Sequence, residues 1–270
     1  MLKKILPLIV LLLVVAGLIF QTLFAQSPTN VPWDQDEDIP EQPRQIILPK
    51  GDFDPSQKMQ EADKLFIKRK YNKARDIYEI ITYMSKGDTL VKRAQFQLAN
   101  CYYKMRMYED AIYEYEQLLR MFPYSQYNEE VNYKIGMSWY KLSYPPAYDQ
   151  TETINALRQF DSFLSQYPNS PLQQEVKNLY GTCINKLLEK KYFNAHIYYM
   201  MGYNNAALMY LNEIFDENHH GEIEEKSLKL AAKIYIKTKN WNKLALVADR
   251  FVSEYPNNPY IQKINKYLTD

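Results

Sequence analysis

The sequence predicts an all-α fold, a right-handed superhelix of about five stacked helix pairs, and three observations carry the prediction. The chain repeats itself at intervals of 37 or 38 residues, small side chains recur at a fixed distance within each repeat, and glycine is scarce while tyrosine is abundant. Seven glycines and 25 tyrosines in 270 residues leave little material for tight β-turns or phosphate-cradling loops, which need positive φ. Rossmann and P-loop enzymes are thereby disfavoured. With 46% hydrophobic residues the chain has enough apolar mass for one or two domains. Its Lys+Arg 33 against Asp+Glu 32, a formal charge of +1, argues against nucleic acid as a partner.

Residues 1–25 open with Lys3 and Lys4 and run apolar from Ile5 through Phe20 to Ala25. They read as a signal peptide or an N-terminal membrane anchor. Ala25 suits a cleavage site, whereas the length of the run suits a membrane span. Residues 26–55 hold six of the fourteen prolines and seven acidic residues against Arg44 and Lys50, which forbids a helix or packed core and predicts a semi-extended linker. At roughly 3.1 Å per residue, thirty such residues reach on the order of 90 Å.

The repeat fills residues 56–270. Tyr71–Ile81 (YNKARDIYEII) aligns with Tyr108–Leu118 (YEDAIYEYEQL), and Tyr203–Glu213 (YNNAALMYLNE) with Trp241–Phe251 (WNKLALVADRF). Each is read as the second helix of a pair, with a small residue that admits the first helix closely. The first-helix partners are Ala62, Ala99 and Ala232, each 12 residues before Ala74, Ala111 and Leu244. Pro123, Pro168 and Pro256 then stop the outgoing helices, and the Ser or Asn that follows caps the next. Helix pairs are expected at about 55–86, 88–122, 125–168, 170–218 and 221–256, with a short helix after Pro259.

Two units depart from the pattern. In the third, Gly136 takes the small first-helix position but Ala156 lies 20 residues on. Eight residues have been inserted around Pro145 and Pro146, with Thr151 or Thr153 expected to cap the returning helix. In the fourth, no proline occurs after Pro171 before Met201, which predicts one long or bent first helix that braces the two halves.

A unit of this length with small residues so placed resembles the tetratricopeptide repeat, whose concave face is built from first helices. The passages Tyr144–Ser170 (YPPAYDQTETINALRQFDSFLSQYPNS) and Lys190–Leu211 (KKYFNAHIYYMMGYNNAALMYL) make the chain resemble the BamD family more particularly. These are YfiO-type tetratricopeptide-repeat lipoproteins of outer membrane protein assembly, here in a Bacteroidetes-like version. The resemblance implies a non-catalytic scaffold on the periplasmic side of the outer membrane. Its C-terminal repeats would hold a BamA-like barrel protein and its N-terminal repeats would contact unfolded β-barrel substrates. The family is tethered by a lipidated cysteine at the mature N-terminus, whereas the two cysteines here are Cys101 and Cys183. Both fall inside helical patterns and read as small buried hydrophobes. A periplasmic tetratricopeptide adaptor in envelope maintenance or cell-wall enzyme regulation is the alternative.

If first helices line a groove, its candidate residues are Phe66 in unit one, Arg93, Phe96, Gln97, Asn100, Tyr103 and Lys104 in unit two, and Tyr133, Lys134, Met137, Tyr140 and Lys141 in unit three. Aromatics beside cations suit a peptide that ends in an aromatic residue and a carboxylate, the terminus that β-barrel substrates of the resembled pathway present. Aromatics at helical spacing equally fit inter-helix core. The Lys and Asn pair of carboxylate-clamp domains is replaced by Met59 and Asp63. His219 and His220 lie in an acidic loop with no zinc-site spacing, and no catalytic motif, cofactor motif or metal motif is found.

Overall fold

The computed structural model describes residues 53–84, 88–217 and 219–269, all within one compact unit, 48–270. The leader and most of the linker lie outside the described residues. Every regular element described is a helix: α1 (Pro55–Ile67), α2 (Tyr71–Met84), α3 (Asp88–Lys104), α4 (Tyr108–Met121), α5 (Asn128–Leu142), α6 (Thr151–Gln166), α7 (Gln173–Met200), α8 (Asn204–Asp216), α9 (Glu222–Lys237), α10 (Trp241–Glu254) and α11 (Tyr260–Thr269). Consecutive helices pack side by side, so the described residues form a superhelix of five pairs closed by a single helix.

Small residues set the pairing. Ala62, Ala74, Ala99, Ala111, Ala156 and Ala232 are fully buried at the helix crossings. The apolar interior is divided into successive clusters. One joins Met59, Ala74, Tyr78 and Leu98, the next Phe96, Tyr115, Leu118 and Ile135, the third Phe160, Phe163, Val176 and Cys183, and the last spans α7 to α11. Each unit therefore buries its apolar side only against its neighbours, the condition that makes a repeat array necessary.

Four of the five turns within pairs share one backbone shape. Lys70, Met107, Tyr203 and Asn240 each donate an N–H to the carbonyl five residues back, at Leu65, Tyr102, Tyr198 and Tyr235. The residue before each donor has positive φ: Arg69 (58°), Arg106 (65°), Gly202 (84°) and Lys239 (54°). This is a left-handed helix stop that satisfies the last carbonyls, and three of the four use a cation where glycine is the unstrained choice. At the opposite ends, Ser125, Ser170 and Asn258 accept from the N–H groups of Tyr127, Leu172 and Tyr260, which orders the turns; contrary to the expected caps, the starts of α5 and α7 at Tyr127 and Leu172 take no side-chain cap.

The third pair departs where expected. Its inserted loop folds around Gln150, whose side-chain amide donates to the carbonyls of Pro145 (2.8 Å) and Asp149 (3.0 Å). The cap differs from the expectation: neither Thr151 nor Thr153 caps α6. Asp149 accepts from the Thr151 N–H at 2.9 Å, while the Thr153 hydroxyl donates to Gln150 Oε1, because the buried amide offers it a closer acceptor. Lys186 and Lys190 of α7 donate to Ser143 Oγ and the Ala147 carbonyl, both at 2.7 Å, and so strap the loop to the long helix. That helix is continuous over 28 residues, about 42 Å at 1.5 Å per residue. It packs on α6 with one half and on α8 and α9 with the other.

Candidate functional site

First helices α1, α3, α5 and α7 are joined laterally by polar side chains. Arg93 of α3 pairs with Asp63 of α1 at 2.5 Å, and the same carboxylate accepts from the Tyr78 hydroxyl. Lys134 of α5 sits over the ring of Tyr103 of α3, 4.6 Å from its centre. The Tyr133 hydroxyl of α5 donates to Glu175 of α7 at 2.6 Å. These links bring first helices of successive units into one row, the arrangement a continuous groove wall requires.

The expected groove residues divide between that face and the core. Arg93, Lys104 and Lys141 are exposed, and Gln97, Tyr103, Tyr133, Lys134, Met137 and Tyr140 are half-buried. Two expectations of exposure are corrected. Phe96 is 7% exposed because its ring stacks on Tyr127, with centroids 4.4 Å apart. Asn100 is 9% exposed because its Oδ1 accepts from the Tyr115 hydroxyl at 2.7 Å, with Gln97 accepting from its amide. Phe66 packs edge-on against Tyr71 at 5.2 Å inside the first pair. Met137 and Tyr140 flank the third apolar cluster.

Around Tyr103 the structure gathers two cations and an aromatic pair. Tyr108 meets Tyr103 edge to face at 5.5 Å, and Lys134 lies over the Tyr103 ring. Burial pushes the Lys134 ammonium below lysine's ordinary range; Glu130 opposes the shift and Lys104 adds to it. Burial likewise raises the Tyr103 phenol. A half-desolvated ammonium with a like charge nearby favours the arrival of an anion, and the tyrosine faces suit an apolar or aromatic group attached to it.

Several titratable groups elsewhere are occupied structurally. Cys101 and Cys183 are buried, their thiols pushed up by burial to about 12 and about 11, which holds them as unreactive thiols. Met59 is buried in the first cluster and Asp63 is engaged by Tyr78 and Arg93, so the carboxylate-clamp positions face other duties. His219 contacts Asn185 at 3.1 Å. Among the described residues, no group of three His, Cys, Asp or Glu side chains is arranged to hold a metal ion, and no helix is long and apolar enough to cross a membrane.

A network that sequence reasoning missed lies at the start of α9. Glu224, fully buried, pairs with Arg250, accepts from the Tyr255 hydroxyl at 2.8 Å and lies 3.0 Å from His220 Nδ1. Burial works to raise its carboxyl, but the hydrogen bonds from Tyr255, His220 and Arg250 prevail and hold it below the usual carboxylate range. The signal available was weak: one glutamate among several in an acidic first turn.

Paired helices of this geometry, with first helices in a joined row, define the class: a tetratricopeptide-type repeat protein. The family model described as YfiO, outer membrane lipoprotein, matches residues 52–245, and the chain belongs to that family. Membership associates it with the cell envelope and its outer membrane. No curated protein is significantly similar to the chain. Among solved structures it is similar to the C-terminal TPR-containing domain of a putative FK506-binding protein of Plasmodium falciparum, with 22% identity, TM-score 0.36 and coverage of 51% of this chain and 95% of that one. A putative kinesin light chain from Podosopora anserina with TPR-like repeats gives 11% identity, TM-score 0.35 and coverage of 75% and 98%. A tetratricopeptide repeat protein from Parabacteroides merdae gives 13% identity, TM-score 0.27 and coverage of 80% and 99%.

Proposed function

We propose that the chain is a non-catalytic scaffold of outer membrane β-barrel assembly. In this reading the first-helix face of units one to three receives the C-terminal segment of unfolded β-barrel substrates, and units three to five hold a BamA-like barrel protein. The observation that carries the substrate half is the Lys134 ammonium over the Tyr103 ring with Lys104 beside it. A terminal carboxylate would add to Glu130 in offsetting the burial and the Lys104 charge that act on Lys134, while a terminal aromatic side chain would lie against Tyr103 and Tyr140. Membership of an outer membrane lipoprotein family supports the setting.

Replacing Tyr103 and Tyr140 together by Ala tests the division of labour. Substrate-peptide binding is expected to weaken on the order of tenfold or more, as loss of aromatic anchors does in other interfaces, while binding of the barrel partner is retained. Equal loss of both would count against it.

A further inference from the structure

The far end of the fourth and fifth pairs carries surface chemistry that the groove reading does not use and to which the partner reading assigns no residue. The turn after α7 and the turn after α9 lie side by side. They share a hollow of about 660 Å³, lined by Tyr198, Tyr203, Asn204 and Thr238, and Lys237 Nζ lies 5.7 Å from the centre of the Tyr199 ring. From this paired edge project Met200, Met201, Tyr203 and Trp241, exposed by 72%, 62%, 59% and 42%. Lys237, Lys239 and Lys243, all exposed, lie at the end of α9, in the turn after it and just beyond that turn. Neither 196–207 nor 233–245 contains an aspartate or glutamate, although the other end of the same helices is acidic, with Glu213, Glu217, Glu222 and Glu254.

We infer that these paired turns form a tip that seats in the headgroup layer of an anionic phospholipid bilayer. Trp and Tyr favour the membrane–water boundary because one end of the ring is apolar and the other is wetted. Methionine supplies flexible apolar surface, and lysine stems extend over it while their ammonium groups reach phosphate. Tyrosine, tryptophan and methionine also occur at protein interfaces, but lysine is depleted there, so the three lysines are the feature that favours lipid. Charge complementarity selects the lipid: three cations in stretches of sequence without aspartate or glutamate are attracted to an anionic surface and gain little from a zwitterionic one.

The test uses the full chain with Trp33→Phe and Trp139→Phe, so that Trp241 alone reports. It is titrated with vesicles of phosphatidylcholine, with or without phosphatidylglycerol, bearing brominated acyl chains. Trp241 emission is expected to shift to shorter wavelength and to be quenched in the phosphatidylglycerol vesicles only. The variant K237Q/K239Q/K243Q should need on the order of a hundredfold more lipid for half-quenching. K58Q/K92Q/K177Q, which removes equal charge elsewhere, should not, and the leader is common to every variant. If the Trp139 replacement perturbs folding, bromine quenching of the chain with its own tryptophans retained gives the same comparison between the two lysine variants. Trp241 emission that ignores anionic vesicles would overturn the inference. So would equal loss in both lysine variants, or protection of Trp241 by an envelope protein in place of lipid.

Discussion

Replacing Gly136 by alanine places a methyl group 2.6 Å from Phe160 Cε1 and 2.8 Å from its Cδ1, with Gln159 Cγ at 3.4 Å. Carbon atoms attract best at about 3.5–4.0 Å, so the new methyl overlaps the ring by roughly 0.7–0.9 Å measured from the near edge of that range. Phe160 is fully buried and sits in the third apolar cluster, which leaves the ring no solvent to move into. Overpacking of this kind costs about 1–3 kcal/mol, and the tight contact puts this case toward the upper end. Against it stands the gain of about 1 kcal/mol for alanine over glycine inside a helix. The net expectation is a loss of about 1–2 kcal/mol. Gly181, inside α7, is the control, because a methyl there meets nothing within 4 Å, so Gly181→Ala keeps the gain of about 1 kcal/mol. Urea denaturation followed by helical circular dichroism measures both. A Gly136→Ala midpoint at or above that of the unmodified chain would refute the close approach of α5 and α6 on which the third unit is built.

Other consequences are testable in the same way. Arg69→Gly and Arg106→Gly relieve positive φ at two helix stops and should each stabilise by about 0.5–1 kcal/mol, read as a higher urea midpoint. Arg250→Ala leaves Glu224 buried with Tyr255 and His220 only, and should destabilise by about 2–3 kcal/mol, somewhat less than removal of a sole partner. The Glu224 carboxyl is held below its usual range, so its charged form contributes stability above the unfolded carboxylate value of about 4.3 and loses it as pH falls through the folded value. Tm should therefore drop in acid, and Glu224→Gln should flatten that drop. Lys134 has the opposite sense: its ammonium is held below lysine's range, so affinity for a peptide carboxylate should fall on the alkaline side earlier than an ordinary lysine would allow, and Lys134→Arg should move the fall to higher pH.

The pair boundaries, the inserted third unit and the long fourth helix were legible because each rests on local rules. Alanine admits a close helix, proline ends one, and a stretch without proline continues one. Ser125, Ser170 and Asn258 order their turns, but Ser125 and Ser170 do not cap the helices that follow. Legibility failed where two chemical readings share one periodicity. Phe96 and Asn100 occupy the same helix as Tyr103 and Lys104, yet Phe96 is claimed by Tyr127 and Asn100 by Tyr115, contacts that only packing of the following helices decides. The cap of α6 was misassigned for a related reason, since Gln150 had no sequence mark of being the buried centre of its loop. Glu224 was hidden among acidic neighbours, because its partners Arg250 and Tyr255 come from 26 and 31 residues away.

The central claim, that the first-helix face recognises a chain terminus by its carboxylate and its aromatic side chain, is tested most directly by one binding measurement. A labelled peptide copied from the last strand of an outer membrane barrel, ending in phenylalanine, is titrated with the full chain as the free acid and as the C-terminal amide, and again with Lys134→Gln. The account predicts that the free acid binds at least tenfold more tightly than the amide, as expected for a charge-assisted contact of about 1.5–3 kcal/mol, and that Lys134→Gln erases most of the difference. Equal affinity for acid and amide, or a preference that survives Lys134→Gln unchanged, would contradict it.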